Sequence, residues 1–136
     1  MRVVFNSPRM AREWVEACHA LRLIIYWTLD NVWPNGDHRT IPDFVFTSIG
    51  RTAEENEEIG GHKFSPHVSA PRWRAADVRN RTLNDAQKAE IVQKVNARFV
   101  YDPKRPFLSV LLNNDKWGTA DHFHFQTHHN TTRRDL

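Results

Sequence analysis

Apolar positions recur along this chain in two rhythms, and the change from one to the other marks its elements. From Pro8 onward Met10, Trp14, Ala17, Leu21, Ile24 and Ile25 fall at helical spacing. Ser7 stands before Pro8, a favoured helix start, because a hydroxyl accepts a first-turn N–H and proline's missing N–H is not needed there. The pattern predicts one long helix over about 8–32, ended by Pro34-Asn35-Gly36. A second helical stripe, Ala86, Ala89, Ile91, Val92, Val95 and Phe99, follows the capping pair Asn84-Asp85.

Between these stripes the period shortens to two. Asp43 to Ser48 alternates and is aromatic and β-branched enough for a strand. Ala75-Ala76-Asp77-Val78 reads as a short strand carrying one acid, Phe107 to Leu112 as another, and His122 to Thr127 as the last. Ala53 to Glu58 predicts a short acidic helix stopped by Gly60-Gly61. Residues 62–74 predict a loop and 113–120 a polar turn, while the tail 128–136 has no period and is expected to fray. Strands and helices interleave without a regular βαβ rhythm. The expected class is therefore α+β, a small antiparallel sheet flanked by the long N-terminal helix and the second amphipathic helix.

Composition narrows the classes. The 136 residues suit a single domain, and 40% hydrophobic content with five Trp and eight Phe predicts a folded core. The net charge of +3 comes from dispersed basic residues, so no nucleic-acid partner is expected. Leu21 to Leu29, the most apolar run, is too short to span a bilayer. Asn6-Ser7-Pro8 interrupts the apolar start, so no signal peptide is expected and the chain is expected in the cytoplasm at synthesis, its site of action left open. The lone Cys18 excludes an internal disulfide and a cysteine-rich zinc site, leaving His and carboxylates as metal ligands.

Those ligands are where the chemistry concentrates. His122 and His124 are two apart on one strand, so both rings leave the same face, with Gln126 continuing it and Phe123 and Phe125 pointing the other way. Asp77 lies among small apolar residues, where an uncompensated carboxylate is costly. A salt bridge to Arg74 or Arg79 is one solution, and a metal ion is another. With His67 in Ser65-Pro66-His67, these side chains supply the imidazoles and the acid that a zinc ion could collect, with one position left open.

Thr47-Ser48-Ile49-Gly50-Arg51, Asn56, Gly60-Gly61, Ser65-Pro66-His67, Ala75-Ala76-Asp77-Val78 and Asp121-His122-Phe123-His124 together resemble the pattern of the M15-type zinc peptidases. That group takes in D-alanyl-D-alanine peptidases, lysostaphin-type enzymes and the hedgehog signalling domain. The resemblance covers about residues 43–127 and implies a metal-binding core over that span. His67 and Asp77 stand further apart than the family's first His and Asp, and Trp73-Arg74 replaces the glycine expected before Ala75.

The resemblance implies His67, Asp77 and His124 as zinc ligands. It implies Asp121 as the acid that moves the proton, His122 as a second donor to the developing oxyanion, and Arg51 and Ser65 as substrate contacts, with Gln126 extending the groove. Asp115 is the alternative base, and Arg51 fits a structural role on loop carbonyls equally well. The implied cofactor is Zn2+ and the implied substrate a peptidoglycan stem peptide, cut by metal-activated water. Two other readings share the residues: a non-catalytic zinc-binding domain that uses its groove for a protein or glycan, and a phage structural protein with a metal-stabilised fold.

Overall fold

The computed structural model describes residues 2–34, 42–50, 72–114 and 122–134. Within them the elements are β1 (Val3–Phe5), α1 (Pro8–Glu16), α2 (His19–Asn31), β2 (Phe44–Ser48), β3 (Ala75–Arg79), α3 (Asp85–Arg98), β4 (Phe99–Val100), β5 (Leu111–Asn114), β6 (His122–Gln126) and β7 (Thr132–Arg133). Five strands form one sheet in the order β1-β2-β3-β6-β5, and β4 pairs with β7. The class is α+β, as the interleaving predicts. The sheet is mixed rather than antiparallel throughout, because β1 runs parallel to β2 while the other neighbours are antiparallel.

The expected long N-terminal helix is two helices. Ser7 caps α1, its hydroxyl accepting from the Met10 N–H at 3.2 Å, with Pro8 in the first turn. Ala17 and Cys18 are then extended, at φ −62°, ψ 150° and φ −63°, ψ 152°. The Cys18 N–H, turned out of the helix, donates to the Trp73 carbonyl at 2.8 Å, and Cys18 Sγ lies 3.2 Å from Thr127 Oγ1. The chain leaves the helix here to dock on the end of the sheet. The apolar stripe hides the break because Trp14 and Leu21 are core-facing on both sides of it.

α3 begins with a complete capping box. The Asn84 side chain accepts from the Gln87 N–H, and the Gln87 side chain accepts from the Asn84 N–H. Its buried face is Ile91 and Val95 with the stem of Lys88, whereas Ala86 and Ala89, expected inside, are exposed.

The core lies between one face of the sheet and the helices. Phe44, Phe46, Ala76, Val78, Leu111, Phe123 and Phe125 come from the strands, and Leu21, Ile24, Ile25, Ile91 and Val95 from α2 and α3. Trp14 packs against Phe46, Trp27 against Phe99 and Trp33 against Phe44, at ring distances of 5.1, 5.5 and 4.8 Å.

Two expectations near the C-terminus change. The strand expected over Phe107 to Leu112 starts only at Leu111, with Phe107 79% exposed. The tail expected to fray pairs Thr132 with Val100 and Arg133 with Phe99. It is tied down by Thr131 Oγ1 donating to the Tyr101 carbonyl at 2.8 Å and by the Arg134 N–H donating to the Arg98 carbonyl at 2.7 Å. The acidic helix expected over Ala53 to Glu58 lies outside the described residues.

Candidate functional site

Burying the Phe123 and Phe125 rings forces His122, His124 and Gln126 onto the opposite face of β6. The neighbouring strands extend that polar face in register. Asp77 of β3 and Leu112 of β5 are the partners of His124, Arg79 and Asn114 are the partners of His122, and Ala75 is the partner of Gln126. On the far side of β3, β2 carries a bulge: Phe46 pairs with Val78, yet Ser48 pairs with Asp77 rather than with Ala76. The extra residue brings Thr47 Oγ1 to 3.3 Å from the Asp77 carbonyl oxygen, to which it donates.

The side chains in this row meet. His124 Nδ1 is 2.8 Å from Asp77 Oδ1, and His122 Nε2 is 3.8 Å from the same oxygen. His124 Nε2 is 3.2 Å from Gln126 Oε1, while Gln126 Nε2 donates to the Ser109 carbonyl at 2.8 Å. Asn114 Nδ2 lies 3.5 Å from His122 Nε2. All three ionisable side chains keep slight solvent access, 16% for Asp77, 19% for His122 and 14% for His124. A ligand reaching the face from solvent can therefore touch them. Asp77 turns to His124 rather than to Arg74 or Arg79, the salt-bridge partners considered for it.

The donor set suits a cation. An ionised carboxylate only accepts, and so does an amide oxygen, whereas a neutral imidazole has one N–H. His124 has an acceptor at each ring nitrogen, so one positive centre, a proton or a metal ion, is needed to satisfy both. Asp77 and His124 thus fit as two of zinc's N/O ligands. Two donors on one tetrahedral zinc stand about 3.3 Å apart, so the pair would open by roughly half an ångström to take the ion. Among the described residues no group of three or more His, Cys, Asp or Glu has metal-holding geometry. His67, the third expected ligand, lies outside them, as do Arg51, Ser65, Asp115 and Asp121.

Sequence reasoning missed two contributors to this face. Ser48 reaches the Asp77 position only through the bulge, and Ser109 acts through its backbone carbonyl. Neither leaves a signal in residue type. Among the described residues no helix is long and apolar enough to cross a membrane.

No family model matches the chain, and neither does any curated protein or solved structure.

Proposed function

We propose that the outer face of β3 and β6 is the floor of a zinc peptidase site that hydrolyses peptide bonds in peptidoglycan stem peptides. The observation that carries the reading is the pairing of Asp77 with His124 across the ladder, with an acceptor at each nitrogen of the imidazole. His67 completes the ligand set. A zinc ion held there supplies Lewis-acid activation of water and of the peptide carbonyl.

The chain's own groups do the rest. Asp121, three residues before His124, takes the proton from the attacking water and delivers it to the departing amine. His122, beside Asp77 on the same face, donates to the oxygen that gains charge as the carbonyl becomes tetrahedral. Arg51 holds a substrate carboxylate, and Ser65 with Gln126 lines the groove. Phe123 and Phe125 keep β6 fixed from behind, so the imidazoles do not reorganise during turnover.

Asp121→Ala tests the reading. Expected is loss of muropeptide release from purified sacculi with zinc content unchanged, and retained cleavage would overturn the assignment of Asp121. Zinc binding by a wild-type protein that cleaves no muropeptide would move the reading to a non-catalytic zinc domain that uses the same face for binding.

A further inference from the structure

We infer that Gln126 is a positioning residue that holds His124 with Nε2–H turned to its own amide oxygen, and so presents Nδ1 to the metal. The inference rests on the zinc reading above and deepens it. Three contacts form a directed chain. The Ser109 carbonyl can only accept, so the group 2.8 Å from it must be the Gln126 NH2, and the amide cannot be flipped. Gln126 Oε1 then faces His124 Nε2 at 3.2 Å and can only accept from it. Asp77 Oδ1, 2.8 Å from Nδ1, is the acceptor on the other side of the ring, so with a metal ion in place of a proton at Nδ1 the N–H that remains is on Nε2 and faces Gln126 Oε1.

The backbone makes the arrangement rigid. The Gln126 N–H donates to the Val110 carbonyl at 2.8 Å, next to Ser109, so the strand pairing that places Gln126 also places the acceptor that orients its side chain. An imidazole whose remote nitrogen donates to a fixed oxygen is held in one tautomer and is a more basic ligand. An amide has two N–H donors and two lone pairs, so holding His124 and Ser109 uses half its capacity. The groove-lining role of Gln126 is compatible with it.

The test uses protein carrying 15N-labelled histidine, the variants Gln126→Leu and Gln126→Glu, and zinc alone as the probe. In zinc-loaded wild type the His124 Nε2 should resonate as a protonated nitrogen and Nδ1 as the metallated one. A metallated Nε2 overturns the inference. Gln126→Leu removes the acceptor and should weaken zinc binding about 10- to 100-fold. Gln126→Glu keeps an oxygen facing Nε2–H while losing the donor to Ser109, and should retain most of the affinity. Equal losses in the two variants would place the effect in the Ser109 contact and overturn the inference. Failure of wild type to bind zinc would defeat the proposed function. In that event the zinc-free spectrum decides the inference, which requires the His124 Nε2 resonance to shift in Gln126→Leu, and an unchanged resonance overturns it.

Discussion

His124 and Asp77 are direct partners across the β3–β6 ladder, and their side chains meet at 2.8 Å. Behind them the same two strands bury Phe125 and Ala76 completely. One backbone register thus sets both the core contact and the polar contact, and a slip of one residue would exchange them. Phe125→Ala should cost about 3–5 kcal/mol in urea unfolding. His122→Ala, on the polar face, should move the midpoint far less and leave the fold intact. A comparable loss in both variants would contradict the division of the two faces.

Gly50 ends the segment that follows β2, where three elements crowd together. A Cβ built there would lie 2.4 Å from Glu13 Oε2 and 2.6 Å from Trp73 Cε2. The Glu13 carboxylate is the end of a flexible side chain and can swing aside, but the indole cannot. Gly50→Ala should therefore destabilise by about 1–3 kcal/mol. A neutral result in chemical denaturation would show that α1 and Trp73 do not close on this glycine.

The break between α1 and α2 gives a discriminating substitution at Cys18. Its φ of −63° and the extended Ala17 before it both suit proline. Cys18→Pro should cost about 1 kcal/mol relative to Cys18→Ala, through loss of the N–H donated to the Trp73 carbonyl. A continuous helix through residue 18 would instead lose about 3 kcal/mol or more. Equilibrium unfolding of the two variants separates these outcomes.

The C-terminal segment carries a pH dependence. Burial holds the His128 imidazole below its ordinary pKa of 6.5, and the neighbouring His129 and Arg105 push the same way, while Asp102 opposes them. A depressed imidazole favours the folded state fully above 6.5, and that contribution is lost as the pH falls through the folded value. Arg105 holds Asp102 below its ordinary carboxylate range, so its contribution disappears only in more acid solution, below 3.8. Amide exchange at Thr132 and Arg133 should accelerate, beyond its intrinsic pH trend, below pH 6.5 in wild type and lose that step in His128→Gln. The same step in the variant would assign it to another group.

Much of this architecture is legible in residue order, and the exceptions have physical causes. Asn84 with Gln87 announces α3, and the alternation from His122 to Gln126 announces which side chains share a face. β1 is missed because three residues gain their strand character only from parallel pairing with β2, across both helices. β5 starts late because Asn96 of α3 donates to the Leu111 carbonyl and accepts from its N–H, a tertiary clamp that outweighs the apolar Phe107. At the site, residue types identify Asp77 and His124 separately. Their one-to-one pairing depends on register, and the orientation of the Gln126 amide depends on a carbonyl that carries no sequence signal.

The convergence of Asp77, His124 and His67 on one ion is tested most directly by zinc content. Wild-type protein dialysed against trace zinc should carry one zinc per chain, and His67→Ala, Asp77→Asn and His124→Ala should each lose it while remaining folded by circular dichroism. Undiminished zinc in folded His67→Ala, or none in folded wild type, would contradict the account.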